Sequence, residues 1–235
     1  MNKLEVLKTL SKEQEDSSSK NLRKMRKRQI NRETIIKYAE KEFIEKGYAN
    51  AKVEDIALNS GNAKATVYNY FESKDDLLTG VLSNIYKLFL KLLTDEFNSA
   101  GNNKELRTII QAYVKFDDIY PAHSGLLLSA ESLLINKRVY EKIAQGLAIT
   151  ESEEEYRNLE ANLVKLVDQI FVNIFKNASI DTEFYIKMRR IFINFVFMIR
   201  ETIVIGKLLK RQDEEIKDDL DIIIKIIEHG IKNYQ

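Results

Sequence analysis

The segment SKNLRKMRKRQINR, at positions 19–32, holds seven basic residues and no acidic one. Clustered lysine and arginine attract polyanions such as nucleic acid, so the segment predicts a basic arm. A solvated, disordered tail has the same composition. The segment by itself therefore leaves a polyanion-binding arm and a solvated tail as two open interpretations.

Residue types that form catalytic or metal sites are scarce. The chain has no cysteine and two histidines, which excludes disulfides and thiolate metal sites. No GxSxG, P-loop or GxGxxG motif occurs, and EYRNLE and ESEEEY lack the Glu-x-x-His spacing of di-iron bundles. We therefore expect no enzyme, no metal and no cofactor, and we interpret the acids at 153–155 as a solvated helix start.

The composition predicts an all-α protein. The 235 residues are 44% hydrophobic, enough for a core, and include one proline and eight glycines. So few helix breakers favour long helices. No run of about 18 apolar residues occurs, and the N-terminal residues lack the pattern of a signal peptide. We therefore expect no membrane partner and a cytoplasmic location.

Apolar spacing, breakers and caps predict where the helices lie. Gly47 has the position of a C-terminal glycine after the first helix. Ser73 and Asp76 have the spacing of an N-terminal capping box. The predicted helices are, in order, 32–47, 53–60, 63–71, 73–99, 104–119, 124–136, 138–148, 152–177, 182–210 and 213–233.

Ala57, Gly61 and Val67 have the spacing of a helix-turn-helix unit. A small residue lets two helices cross closely, a glycine accepts the positive φ of the turn, and an apolar residue anchors the second helix on the first. The second helix then exposes its N-terminal half and can enter a major groove. Many helical hairpins in protein cores match this triplet, so the spacing alone leaves a structural hairpin as the alternative.

The residues around this triplet resemble the DNA-binding domain of the TetR/AcrR family of transcriptional regulators, over about 32–82. The residues that carry the resemblance are Phe43, Gly47, Tyr48, Val53, Ile56, Ala57, Gly61, Lys64, Thr66, Tyr68, Tyr70, Phe71, Ser73, Lys74 and Leu77. The resemblance implies a three-helix DNA-binding domain at 31–78. It also implies a flexible basic extension at 1–30 and a larger C-terminal helical ligand-binding and dimerisation domain at 79–235.

The resemblance further implies which side chains contact a double-stranded DNA operator. Tyr68 and Lys74 are expected to bind phosphates through a hydroxyl and an ammonium group. Tyr70 and Phe71 are expected to pack in the core, with the Tyr70 hydroxyl also available to a phosphate. The predicted DNA-binding residues are Arg26, Lys27, Arg28, Lys52, Asn62, Ala63, Lys64, Ala65, Thr66, Tyr68, Asn69, Tyr70 and Lys74.

Two features of this assignment depart from the family pattern or extend it. Asn62 and Ala63 stand where the family has an apolar residue and then a hydroxyl residue that caps the recognition helix. Asn62 is a candidate replacement cap, which would move the start of the helix by one residue. The basic residues at 26–28 precede the first helix, where we expect them to follow a phosphate backbone or to enter the minor groove.

The last two predicted helices are apolar on more than one face. Residues 182–210 contain IFINFVFMIRETIVI, and residues 213–233 contain LDIIIKII. Two such helices can pair with a second copy as a four-helix bundle, which predicts a homodimer. A dimer also suits a helix-turn-helix protein that reads two half-sites. The alternative is that both helices complete the core of a monomer.

Aromatic and isolated polar residues in the middle helices are the candidates for an effector site. An aromatic stripe is more often core, and a buried carboxylate or imidazole more often has a structural partner. The candidates are Tyr113, Phe116, Asp117, Tyr120, His123, Leu127, Glu131, Phe171, Phe175, Phe192 and Phe195. They predict a small, largely apolar effector.

Together these patterns predict a ligand-responsive, dimeric transcription regulator that acts as a repressor on a palindromic operator. An activator or a ligand-independent regulator is the alternative among DNA-binding proteins. A helical small-molecule carrier with a degenerate helix-turn-helix is the alternative from a different class. Steep salt dependence of DNA binding would separate the regulator from the carrier.

Overall fold

The computed structural model describes residues 3–99, 106–127, 129–175 and 182–232. Every regular element in these ranges is an α-helix, which confirms the predicted all-α class. The helices are α1 Lys3–Asn50, α2 Val53–Asn59, α3 Lys64–Tyr68, α4 Lys74–Ser99, α5 Leu106–Ile119, α6 Pro121–Leu127, α7 Ala130–Ala144, α8 Glu151–Phe175, α9 Thr182–Leu208 and α10 Asp213–Lys232.

The chain forms two compact units, Met1–Leu77 and Leu78–Gln235. In the first unit, α1 packs on α2 and α2 packs on α3. In the second unit, α9 packs on α5, α8 and α10. Our division into a basic extension, a DNA-binding domain and an effector domain assigns functions to these segments and stays a prediction.

Helix α1 begins at Lys3, so the predicted start at Arg32 is wrong. The segment that we predicted as an extension at 1–30 is helical from Lys3 and continuous with the first helix of the unit. Side chains 19–30 are all exposed. Lysine, arginine, leucine and methionine are strong helix formers, and an exposed helix needs no apolar periodicity. The apolar periodicity therefore identified only the part of α1 whose side chains are buried in the core.

The core of the first unit is apolar; Phe71 is buried in it as predicted, whereas Tyr70, also predicted to pack there, is only half-buried. Gly47 interrupts α1 with a φ of 72°, as expected of the predicted C-terminal glycine. The buried apolar side chains are Ile35, Ile36, Ala39, Phe43, Ala51, Val53, Ile56, Ala57, Val67, Phe71 and Leu77. These side chains hold the three short connections between the helices in place.

The predicted helices 124–136 and 138–148 are wrong. The structure has α6 Pro121–Leu127 and α7 Ala130–Ala144, with the break at Ser129. Ser129 has extended backbone angles, and its hydroxyl accepts a hydrogen bond from the Ser132 amide at 3.2 Å. An N-cap serine of this kind fixes a helix start. We overlooked it because it lies within the apolar run GLLLSAESLLI.

Helix α4 meets the length and composition of a membrane span, unlike our expectation from the sequence. It is the one such helix among the described residues, and 67% of its most apolar window is buried in the folded chain. Core helices of globular proteins pass the same test. Length and composition therefore do not distinguish a spanning helix from a core helix here.

Glu153 is buried and paired, so our interpretation of the acids at 153–155 as solvated is wrong for this residue. Its side chain is 1% exposed. It accepts hydrogen bonds from the Lys142 ammonium at 2.9 Å and from the Thr150 amide at 3.0 Å. The Thr150 hydroxyl accepts in return from the Glu153 amide at 3.1 Å. This reciprocal pair is a capping box at the start of α8.

Glu153→Gln is expected to destabilise the chain by about 1.5–3 kcal/mol, the usual worth of a hydrogen bond to a charged group. The amide keeps the shape of the side chain but leaves the Lys142 ammonium without its carboxylate. Urea unfolding followed by circular dichroism measures the change. Glu154→Gln, at an exposed position on the same turn, should change stability by less than about 0.5 kcal/mol. Equal effects of the two variants would contradict the structural role of Glu153.

Candidate nucleic-acid interface

The turn between α2 and α3 is built on Gly61. Its φ of 71° is in the left-handed region that favours glycine. The Ser60 amide donates to the Ile56 carbonyl at 3.0 Å, and the Asn62 amide donates to the Ala57 carbonyl at 2.8 Å. These bonds close the end of α2 and direct the chain into α3, as the triplet spacing predicted.

Asn62 does not cap α3, so that prediction is wrong. The N-cap position is Ala63, whose side chain makes no capping hydrogen bond. The Asn62 side-chain amide donates instead to the Ser60 carbonyl at 3.0 Å. Its carbonyl oxygen accepts from the Asn31 side chain of α1 at 3.0 Å. Asn62 therefore ties the turn to α1, and α3 begins without a side-chain cap from its N-cap residue.

Helix α3 has one buried residue and an exposed polar face. Val67 is buried, as an anchor of the second helix should be. The predicted contact residues Ala63, Lys64, Ala65, Tyr68 and Asn69 are exposed, and Thr66 is half-buried. Lys52, also a predicted contact, is exposed at the N-cap of α2. The short helix thus presents the side chains that the sequence predicted, and their contact with DNA stays a prediction.

Glu54 of α2 holds Lys64, the first residue of α3. The Lys64 ammonium lies 2.5 Å from the Glu54 carboxylate and 5.8 Å from the centroid of the Tyr68 ring. The hydrogen bond from Lys64 lowers the pKa of the Glu54 carboxyl and raises the pKa of Lys64. Both charges therefore stay ionised near neutral pH. Glu54 could not be predicted from the sequence, because its partner lies ten residues away on another helix.

Glu54→Gln is expected to tighten the binding of a DNA duplex by up to about fivefold, the worth of an exposed ion pair. The substitution frees Lys64 for a phosphate and removes a negative charge from the same surface. Affinity measured by fluorescence anisotropy should lose this gain in the Lys64→Gln background. Asp55→Asn removes the same charge on the next residue, where the partner is Lys46. An equal gain in affinity from Asp55→Asn would show that the gain comes from the lost negative charge and not from freeing Lys64.

The start of α4 is capped as predicted. The Asp76 amide donates to the Ser73 hydroxyl at 3.0 Å, while the Asp76 carboxylate accepts from the Glu72 amide at 2.9 Å. Lys74 donates to the Tyr48 carbonyl, and its ammonium lies 4.3 Å from the centroid of the Tyr48 ring. Lys74 is therefore engaged within the unit, and its predicted phosphate contact remains untested.

A polar network joins α1 to the segment after α3. Asn31 donates to the Tyr70 hydroxyl at 3.3 Å, in addition to its bond to Asn62. The Arg28 guanidinium lies 5.2 Å from the centroid of the Tyr70 ring. Arg26, Lys27 and Arg28 are all exposed. The network was not predicted because Asn31 lies 31 residues from Asn62 and 39 residues from Tyr70 in the sequence.

The predicted effector residues fall into two aromatic clusters in the second unit. In the first, Phe89 stacks on Tyr113 at 4.5 Å between ring centroids. Between ring centroids, Phe116 lies 5.3 Å from Phe89 and 5.4 Å from Tyr120. Tyr120 in turn lies 5.5 Å from His123. In the second cluster, Phe171 lies 5.1 Å from Tyr185 and 5.3 Å from Phe192. The structure thus separates residues that we grouped as one site.

The remaining effector candidates have mixed environments. Asp117 and Leu127 are buried, and Glu131 is half-buried in the first turn of α7. The side chains of Phe175 and Phe195 lie outside those that the structure describes. A groove of about 380 Å³ lies between α5 and α10, lined by none of the eleven candidates. A role of any candidate in effector binding remains a prediction.

Glu160 forms a buried polar cluster that was not predicted from the sequence. Its carboxylate accepts from the Tyr140 hydroxyl at 2.6 Å and from the Asn136 amide at 2.7 Å. Burial raises the pKa of Tyr156 and of Tyr140, with Glu160 adding to both shifts. The two hydroxyls therefore stay protonated and neutral near pH 7. The cluster joins α7 to α8.

The glycine turn after α2 and the exposed face of α3 have the geometry of a helix-turn-helix unit. Residues 35–81 match the family model described as bacterial regulatory proteins, tetR family. The match covers 47 of the 235 residues and supports a TetR-family regulator whose DNA-binding domain lies in this region. Regulators of this family are DNA-binding transcription factors and not enzymes, which agrees with our expectation for this chain.

Solved regulators share the fold over most of the chain. FadR from Bacillus halodurans, a fatty acid degradation regulator, has 17% identity and a TM-score of 0.55, covering 84% of this chain and 98% of its own. A TetR transcription regulator from Haloarcula marismortui has 15% identity and a TM-score of 0.56, with the same coverage. A transcriptional regulator from Rhodococcus has 15% identity and a TM-score of 0.54, covering 85% of this chain and 96% of its own. Comparison with curated protein sequences gives no match.

Proposed function

We propose that the chain is a ligand-responsive repressor that binds a palindromic operator as a homodimer. The observation that carries the proposal is the exposed face of α3, where Lys64, Ala65, Tyr68 and Asn69 surround a single buried anchor, Val67. A helix presented in this way can enter a major groove, with hydroxyl and ammonium groups on the flanking phosphates. Such a regulator acts in the cytoplasm, where its operator is accessible.

A homodimer through the last two helices is supported by exposed apolar side chains on both. Ile191 and Ile205 lie fourteen residues apart on α9, and Ile222 and Ile226 lie one turn apart on α10; all four are exposed. Large apolar side chains gathered on an outer surface are typical of an interface. Two-fold symmetry then presents two copies of α3 to two half-sites, which makes the operator palindromic.

An apolar effector is supported by the composition of the second unit. Its two aromatic clusters have buried rings at Phe89, Phe116 and Phe171, and such walls suit an apolar or aromatic molecule. Helix α4 carries the chain from the first unit into the second. We propose that the effector displaces α4 and so changes the separation of the two α3 helices. By linkage, operator DNA must weaken effector binding by the same factor.

The test is selection of bound duplexes from a random library at about physiological salt. The regulator predicts enrichment of a palindromic consensus. Tyr68→Ala should abolish this enrichment, because it removes an exposed hydroxyl from α3 without touching the core. Lys74→Ala tests whether the Lys74 ammonium leaves Tyr48 to bind a phosphate. If the ammonium stays on Tyr48, the Lys74→Ala variant should still enrich the same palindromic consensus. No enrichment from folded wild-type protein would leave the helical carrier as the function.

The direction of regulation and the response to a ligand need separate measurements. With the selected operator placed before a reporter gene, a repressor lowers expression and an activator raises it. An effector that changes expression should bind the free protein more tightly than the operator complex. Equal affinity in the two states would contradict the proposed coupling through α4.

A further inference from the structure

The part of α1 that precedes the packed core carries its basic residues on a defined face. Lys24, Lys27, Arg28 and Asn31 are spaced three, four and seven residues from the first, so they lie on one side of the helix. Arg26 lies on the opposite side, and Arg23 lies about a quarter turn away. All the charged members of this set are exposed. The basic residues of this segment therefore lie on two different sides of the helix.

The face that holds Lys24 and Lys27 borders a cleft shared with the recognition helix. The cleft has a volume of about 670 Å³. Its other wall is formed by Asn62, Thr66, Asn69 and Tyr70. One wall thus carries positive charge and the other carries amides and hydroxyls, and both belong to the first unit. Ammonium, amide and hydroxyl groups are the donors that proteins use to hold DNA phosphates.

We propose that this cleft, between α1 and α3, is a phosphate clamp that holds one strand of the DNA backbone beside the groove that α3 enters. Lys24 and Lys27 supply the charge, and Asn69 and Thr66 supply neutral donors to the same strand. The clamp rests on the proposed function, because it requires that α3 bind DNA. It extends the DNA contact of the protein beyond the recognition helix, toward residues that precede the packed core.

The helical form of α1 also decides between the two modes predicted for the basic residues. An α-helix with its side chains is about 10–12 Å wide, whereas the minor groove of B-DNA is about 6 Å wide. A helix therefore does not fit into the minor groove, while it can lie along a phosphate backbone. The contact is with phosphates and carries no direct information about base sequence.

The first test compares two pairs of substitutions with the same charge change on the same helix. Lys24→Gln with Lys27→Gln removes the charges of the clamp, and Arg23→Gln with Lys37→Gln removes two exposed charges outside it on the same helix. The clamp pair should weaken binding to a mixed-sequence duplex by about tenfold or more and flatten the slope of log K against log salt by about two. The control pair should change both quantities much less. Equal changes from the two pairs would overturn the clamp.

The second test asks whether the charges must sit on a helix. Met25 is 68% exposed, so replacing it removes no core contact. Met25→Pro breaks the helix between Lys24 and Lys27 and should weaken binding as much as the clamp pair does, while Met25→Ala should leave affinity unchanged. Full affinity of Met25→Pro would show a flexible arm and overturn the clamp. If wild-type protein binds no duplex, the proposed function falls with it; if it binds, these comparisons judge the clamp alone.

Discussion

Phe71→Ala is expected to unfold the DNA-binding unit and to abolish operator binding. The Phe71 side chain is 1% exposed, and its amide donates to the Val67 carbonyl at 3.0 Å at the end of α3. The Arg32 guanidinium of α1 lies 5.3 Å from the centroid of its ring. Removing a buried phenylalanine ring costs about 3–5 kcal/mol. That is a large part of the stability of a small domain.

Amide hydrogen exchange measures this loss helix by helix. In Phe71→Ala, amides of α2 and α3 should exchange much faster, while those of α8 in the other unit should keep their protection. Tyr68→Ala is the matched control, because it removes an aromatic ring of similar size from an exposed position on α3. The control should lose DNA affinity with little change in exchange. Unchanged protection of α2 and α3 in Phe71→Ala would contradict the role of the ring in holding α3.

The features that sequence reasoning predicted correctly have local causes. Gly61 was identifiable because a tight turn needs positive φ, and glycine accepts it without strain. The cap of α4 was identifiable because Ser73 and Asp76 satisfy amides within three residues of each other. The buried face of α1 from Ile35 to Phe43 was identifiable because burial imposes a helical period on apolar residues. In each case the residues that determine the structure are close in sequence.

The features that were missed depend on partners distant in sequence or on solvent exposure. Glu54 resembles any exposed acid until the fold places it beside Lys64. Glu153 resembles its acidic neighbours until Lys142 of the preceding helix reaches it. The basic part of α1 has no apolar period, because none of its side chains from 19 to 30 is buried. Apolar periodicity indicates which face of a helix is buried, so it gives no signal for a helical segment whose side chains are all exposed.

The candidate sites show the same difference between local features and features that depend on distant residues. The predicted contact positions on α3 followed from the resemblance together with the local turn, and the structure exposes all of them except Thr66, which is half-buried. The effector candidates were chosen by residue type, and the structure divides them between two clusters, one containing Phe116 and the other Phe171. A pocket is defined by space left between helices, which residue types along one helix do not determine. The α1–α3 cleft shows the same limit, since one wall comes from 24–34 and the other from 62–70.

Helix α10 has an exposed apolar stripe in addition to the stripe that is buried within its own chain. On α10, Ile216, Leu220 and Ile224 recur every four residues and are buried. Ile222 and Ile226, on the opposite side of the same helix, are 55% and 63% exposed. A single stripe would be enough to pack α10 within its own chain. The second stripe is what a symmetric partner would cover.

Replacing both Ile222 and Ile226 by glutamate is therefore expected to convert a dimer to a monomer and to weaken operator binding by more than 100-fold. Each isoleucine contributes about 1.5–3 kcal/mol when buried, and by two-fold symmetry each substitution occurs twice in one interface. The added carboxylates would also be buried without partners, which costs several kcal/mol more. Light scattering after gel filtration measures the mass, and anisotropy measures affinity for the selected palindrome. Replacing both residues by leucine keeps the apolar surface and should leave mass and affinity unchanged. A glutamate variant that keeps twice the chain mass would exclude this face of α10 from the interface, whatever happens to DNA binding.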